Sequence, residues 1–137
     1  LQKRFEKFAL HWERRTDMSP LFVYYPKCGT CRKASKWLEE NGIEVEKRHI
    51  IENPPTREEL EKWFAASQLP IRKLFNTSGK KYRELGLKDK VKTAPEPELL
   101  DILATDGMLV KRPVLVTEKG RVLFGFNETK WRETIRP

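Results

Sequence analysis

The segment Leu21-Phe22-Val23-Tyr24-Tyr25-Pro26-Lys27-Cys28-Gly29-Thr30-Cys31-Arg32-Lys33 carries three signals in succession. Leu21 to Tyr25 is an unbroken aliphatic, β-branched and aromatic run stopped by Pro26, the pattern of a buried strand. From Gly29 to Glu40 the period changes: Ala34, Trp37 and Leu38 recur at helical spacing, and Asn41-Gly42 supplies the stop. The order is strand, cysteine loop, helix.

Cys28 and Cys31 are the only cysteines in the chain. A disulfide framework needs several bridges in a secreted chain, and one bridge across so short a loop would restrain the unfolded state little. A zinc knuckle needs a second pair of ligands, and only His11 and His49 are on offer, without metal-site spacing. Two packed, inert thiols are the plain alternative, because small buried cysteines are common. The strand-to-helix setting favours redox chemistry. A thiol in such a turn meets unpaired backbone N–H groups and the positive end of the helix dipole, which stabilise thiolate, and Lys27 and Arg32 add positive charge. Cys28 is then the nucleophile, and Cys31, one helical turn on, resolves a mixed disulfide formed at Cys28. Gly29 and Thr30 complete the turn, with Gly29 leaving room for a substrate backbone or oxyanion. This chemistry requires no metal and no organic cofactor.

Working outward, Ile43 and Val45 alternate with Glu44 and Glu46, which predicts a second strand over Ile43 to Ile50, ended by Asn53-Pro54-Pro55. Thr56 with Glu59 three residues on is a capping-box pattern opening a helix that carries Leu60, Trp63 and Phe64. Pro70 begins a turn through Leu74, Tyr82 to Leu85 forms another short piece, and Pro95-Glu96-Pro97 precedes the periodic segment Leu99 to Leu103. Residues 55–106 therefore read as a helical insertion. Strand character returns at Val114-Leu115-Val116 and Val122-Leu123-Phe124, joined by Glu118-Lys119-Gly120-Arg121 as a hairpin link. Asn127 caps a last helix containing Trp131 and Ile135. The sum is an α/β domain over residues 18–137 with no internal repeat or interdomain linker. His49 reads as structural, and Asn76-Thr77-Ser78-Gly79 as an ordinary turn rather than an anion site.

The chain has 137 residues, 38% hydrophobic and 35% charged, which supplies one modest core under a highly charged surface and disfavours global disorder. Twenty-eight Lys and Arg against 20 Asp and Glu give a net charge of +8. The signs are interleaved, with no long basic block, so a direct nucleic-acid surface is not predicted. No apolar run approaches the roughly 20 residues needed to span a bilayer, and no signal-peptide pattern opens the chain, so the expectation is a cytoplasmic protein without a membrane partner. Residues 1–17 place Leu1, Phe5, Phe8 and Trp12 at helical spacing, as in a short basic amphipathic helix. The favoured reading is an N-terminal appendage or translated leader. Glu13-Arg14-Arg15 can be encoded by a purine-rich stretch resembling a ribosome-binding site ahead of a start at Met18. Without the five basic and three acidic residues of the leader, the remainder still carries +6.

Taken together and in order, Tyr25 to Lys33, Ile51-Glu52-Asn53-Pro54-Pro55, Tyr82-Arg83-Glu84-Leu85-Gly86-Leu87 and Lys111-Arg112-Pro113-Val114 resemble the arsenate reductase (ArsC) and Spx family over about residues 20–135. The resemblance implies a thioredoxin/glutaredoxin-like core with an inserted helical subdomain. Cys28 then matches the cysteine that attacks arsenate in glutaredoxin-linked reductases, Arg32 its neighbouring helix arginine, and Arg112 an anion-binding arginine. Pro113 matches a cis proline that faces the cysteine loop, and the backbone before it helps hold substrate. On the residues alone, Pro113 also fits a proline that simply opens a strand.

Two further arginines of those reductases are missing: Asn76 stands in the segment Leu74 to Thr77, and Phe124-Gly125-Phe126-Asn127 stands near the other. A tetrahedral oxyanion would lose charge-assisted hydrogen bonds, which argues against efficient arsenate reduction. The cysteine pair and Gly125-Phe126-Asn127-Glu128 are more similar to the Spx branch, whose members are transcription regulators that bind the RNA polymerase alpha subunit and use C-x-x-C as an oxidation switch. The expectation is a thiol-disulfide oxidoreductase or redox sensor served by cellular thiols, glutaredoxin or thioredoxin. An Spx-like regulator and an arsenate reductase are the alternatives.

Overall fold

Alternation along the first strand, β1 (Leu21–Tyr24), divides the protein into two cores: Leu21 and Val23 face one way, Phe22 and Tyr24 the other. The computed structural model describes residues 19–135, so the amphipathic reading of residues 1–17 and the start at Met18 lie outside the described residues. β1 pairs in parallel with β2 (Glu46–His49) and antiparallel with β3 (Val114–Val116), which pairs antiparallel with β4 (Val122–Phe124). The sheet order is β2-β1-β3-β4. Helix α1 (Gly29–Glu40) makes the crossover that a parallel pair requires.

On the Phe22 face, Phe22 and Leu115 pack against Ala34, Trp37 and Leu38 of α1 and against Trp131 of the last helix, α6 (Glu128–Ile135). Trp131 meets the rings of Phe22, Trp37 and Phe126 edge-on, with centroids 6.3, 6.1 and 5.0 Å away, and its Nε1 donates to the Gly125 carbonyl at 3.1 Å. Such pairs add about 0.5–1.5 kcal/mol each beyond area burial, so this one residue fixes α6 and the Gly125 turn to the sheet.

The opposite face is covered by the insertion: α2 (Arg57–Ser67), α3 (Lys80–Glu84), α4 (Leu87–Thr93), α5 (Glu96–Leu103) and 3₁₀ turns at Ile71–Leu74 and Gly107–Leu109. Leu60, Leu74, Phe75, Leu99 and Leu109 are buried there against Val23, Val114 and Val122. Asn76 N donates to Leu109 O and Lys111 N to Leu74 O, both at 2.7 Å, which ties the insertion to the chain entering β3. The topology is a thioredoxin-like fold with a helical insertion, as the resemblance implied.

α1 begins and ends where its periodicity placed it, and both arms of the Thr56–Glu59 capping box form. The hairpin link turns at Gly120, φ +82°, with Thr117 N donating to Arg121 O at 2.8 Å. The second strand is shorter than expected. Ile43 N donates back to Leu38 O at the end of α1, and pairing with β1 starts only after Glu46 N meets Pro20 O; Ile43 and Val45 pack on the α1 side from the connection. α4 was not anticipated, because only Leu87 and Val91 mark its apolar side and one i, i+4 pair is too little periodicity to read.

Candidate functional site

Cys28 is the N-cap of α1, in extended backbone geometry, and its sulfur accepts from Cys31 N at 3.4 Å. Its own N–H donates to Tyr25 O at 3.0 Å, which closes the turn Tyr25-Pro26-Lys27-Cys28. Cys28 is half-buried and Cys31 only 2% exposed. The Cys31 thiol also favours the ionised form of Cys28.

These contacts set the two thiols apart. Burial pushes Cys28 up, but the Cys31 thiol and N–H, the Arg112 charge and the Thr30 N–H outweigh it and hold Cys28 below its ordinary 9.0. For Cys31, burial dominates and the neighbouring Cys28 adds to it, against a hydrogen bond from Tyr25 N (3.5 Å) and the charge of Arg112; its pKa is pushed up to about 12. The first thiol ionises more readily than the second, which burial holds protonated.

Arg112 reaches the pair from the β3 side, and the Arg112–Pro113 peptide is cis. Its guanidinium lies 5.2 Å over the Tyr25 ring, and Nη1 donates to Met108 O at 3.3 Å. Its buried Nε–H has no hydrogen-bond partner among the described residues. Pro113 is buried next to β1. At Gly29 a Cβ would meet nothing within 4 Å, so the approach to Cys28 is open there. Thr30 contributes its backbone N–H. Arg32 is exposed; it borders, with Cys31, Tyr24, Ser35 and Lys47, a small cleft of about 120 Å³, and the groups acting on Cys28 do not include it.

Tyr25 is the residue that sequence reasoning underused. It donates to Cys31, accepts from Cys28, carries the Arg112 guanidinium on its ring and meets the His49 ring at 5.9 Å. Its position directly ahead of Pro26 and the cysteines was the available signal. Met108 had none, since it acts through a carbonyl. His49 is structural: its Nδ1 accepts from Ile51 N and Glu52 N at 3.1 and 3.2 Å. Asn76 to Gly79 is a turn closed by Gly79 N to Asn76 O at 3.0 Å. Among the described residues no cluster of three or more His, Cys, Asp or Glu is arranged to hold a metal ion, and no helix is long and apolar enough to cross a membrane.

A thioredoxin-like sheet with a C-x-x-C pair at the first helix and a cis proline opposite defines a thiol-bearing fold class. Residues 23–134 match the ArsC family, and the chain belongs to that family. It is 54% identical over 116 residues to the uncharacterised protein YusI of Bacillus subtilis, covering 85% of this chain and 98% of YusI. The arsenate reductase of Acidiphilium multivorum is 35% identical over 104 residues (75% of this chain, 72% of that one), and the regulatory protein MgsR of Bacillus subtilis 33% over 106 (77% and 82%). Among solved structures, an ArsC family related protein from Bacteroides fragilis superposes with a TM-score of 0.81 at 50% identity, covering 85% of this chain and 97% of that one.

Proposed function

We propose that the chain is a thiol-disulfide redox protein, an oxidoreductase or redox sensor, in which Cys28 attacks and Cys31 resolves. The Cys28 thiolate attacks one sulfur of a disulfide R–S–S–R′, forming Cys28–S–S–R and releasing R′–S⁻. Cys31 then gives up its proton, its sulfur attacks Cys28, and R–S⁻ leaves; two electrons have passed from the cysteine pair to the substrate. Cellular thiols, glutaredoxin or thioredoxin return the pair to the dithiol. Arg112 stabilises the thiolate and any developing anion, Arg32 adds positive charge to the same helix end, and Gly29, Thr30 and Pro113 form the loop against which substrate lies. Such a pair belongs in a reducing compartment, the cytoplasm.

The observation that carries this reading is the asymmetry of the pair: one thiol held below 9.0 at a helix N-cap, the other raised to about 12 behind it. The test is trapping. Cys31→Ser incubated with oxidised glutathione should accumulate a mixed disulfide at Cys28, whereas Cys28→Ser should accumulate none under the same conditions. Equal adducts at both cysteines would defeat the assignment.

The similarity to MgsR, together with the C-x-x-C pair and Gly125-Phe126-Asn127-Glu128, supports a second reading, an Spx-like regulator that binds the RNA polymerase alpha subunit according to its oxidation state. A pull-down with the alpha C-terminal domain, using reduced and oxidised protein, separates the two; binding in neither state counts against the regulator. A glutaredoxin-linked arsenate reductase is supported by the arsenate reductase relative, but Asn76 and the Phe124 to Asn127 segment leave an arsenate oxyanion short of two cationic partners. Arsenate turnover abolished by Cys28→Ser would reinstate it.

A further inference from the structure

Arg112 is a half-buried arginine without a carboxylate: among the described residues it forms no ion pair. Its Nε has no partner there either, and one hydrogen bond, Nη1 to Met108 O at 3.3 Å, ties the guanidinium to the protein. Yet its charge acts on both cysteine sulfurs. A single bond at the long end of the hydrogen-bond range does not by itself fix a side chain with so much rotamer freedom. The contact that remains is the face of Tyr25, with the guanidinium carbon 5.2 Å from the ring centroid.

The kind of anchor matters. A carboxylate would grip the guanidinium harder but would offset much of its charge, and with it the field felt by a thiolate. An aromatic face attracts the cation through its quadrupole and leaves the net charge whole. The Tyr25 ring is itself held in place. Its backbone is fixed to the cysteine loop, accepting from Cys28 N at 3.0 Å and donating to the Cys31 sulfur at 3.5 Å. Its ring meets that of His49 edge-on, at 5.9 Å and 88°, and His49 Nδ1 is tied to Ile51 N and Glu52 N. The labour is divided: the Tyr25 backbone serves the cysteines and the ring serves Arg112. The ring can therefore be changed without removing either hydrogen bond to the cysteine loop.

We propose that Tyr25 is a positioning residue of the cysteine pair, its ring serving as the uncharged anchor that keeps the Arg112 guanidinium where its charge acts on Cys28. The proposal rests on the exchange chemistry proposed for Cys28 and adds the residue that holds the stabilising arginine in place. No bond forms or breaks at Tyr25. The phenol oxygen takes no part, so a phenylalanine ring serves equally well.

The experiment follows Cys28 alkylation by iodoacetamide against pH in the reduced full-length protein, read by peptide mass spectrometry. Tyr25→Leu should move the midpoint upward and lower the rate at pH 7 about two- to threefold, as loss of one cation–π contact allows. Tyr25→Phe should keep both at the wild-type values. In an Arg112→Met background, Tyr25→Leu should change neither, because no cation is left to hold. Calorimetry checks that each variant is folded, and Tyr25→Met repeats the test should the Leu variant fail to fold. An unchanged midpoint in both apolar variants overturns the proposal. So does an equal shift with and without Arg112, which marks a purely structural ring. Exposure of the Cys31→Ser protein to oxidised glutathione separates the two levels. A mixed disulfide at Cys28 beside an unchanged Tyr25→Leu midpoint overturns the role of Tyr25 alone. No adduct at Cys28 overturns the exchange chemistry, and with it the role given to Tyr25.

Discussion

Selective alkylation probes the asymmetry of the cysteine pair directly. At pH 7 a thiol with a pKa of about 12 is ionised in about one molecule in 10⁵, whereas a pKa below 9.0 gives about one in 10² or more. The thiolate fractions of Cys31 and Cys28 therefore differ by about a thousandfold or more. The more basic thiolate is intrinsically the better nucleophile, by about twentyfold for three pKa units at a Brønsted slope near 0.45, so about fiftyfold remains in favour of Cys28. Cys31 is also 2% exposed, so access widens the gap. Timed iodoacetamide quenches of the native reduced protein, read by peptide mass spectrometry, should show Cys28 labelled at least fiftyfold faster, with a rate that rises with pH through a midpoint below 9. In Cys28→Ser, the contributions of Cys28 to Cys31 vanish but burial, the largest, remains, so Cys31 should still label far more slowly than Cys28 does in the wild type. Labelling of Cys31 within about fivefold of Cys28 in the wild type would refute the electrostatic reasoning.

Replacing Arg112 by Met removes the one side-chain charge that lowers Cys28, so the midpoint of Cys28 alkylation against pH should move upward, with rates below wild type at pH 7 and convergence at high pH; Arg112→Lys should lie between. Arg48 joins β2 to the insertion: it donates to both Glu59 carboxylate oxygens (2.7 and 2.8 Å) and to the carbonyls of Asn53 and Pro54. Arg48→Met should cost about 2 kcal/mol after discounting for partial exposure, a fall of roughly 6–10 °C in Tm by calorimetry. Burial pushes the Glu59 carboxyl up, but Arg48 and Thr56 outweigh it and hold it below 4.5. That stabilisation is present above the unfolded carboxylate pKa and lost as pH falls through the folded one, so the gap between wild type and variant should be full at pH 7 and close on acidification below about 4.

Local signals were readable wherever a few neighbouring residues decide the outcome. Thr56 and Glu59 are three apart and satisfy each other's backbone groups, and Cys28 sits at a strand-to-helix turn that any strong flanking periodicity reveals. The rest depends on contacts between distant residues. Tyr25 becomes central only when Arg112, far along the chain, is brought over its ring. α4 and the short β2 escaped for a different reason: two apolar residues do not make a period, and the alternating Ile43 and Val45 serve the connection rather than the strand.

The central claim, that Cys28 and Cys31 form a working redox pair, is tested most directly by mass spectrometry of thiol-trapped protein equilibrated across glutathione redox buffers. A reversible internal disulfide between Cys28 and Cys31, with a midpoint in the cytosolic range of roughly −200 to −320 mV, is the expected result. A pair that never bridges at any poise, or that carries glutathione on Cys28 without closing onto Cys31, would contradict it.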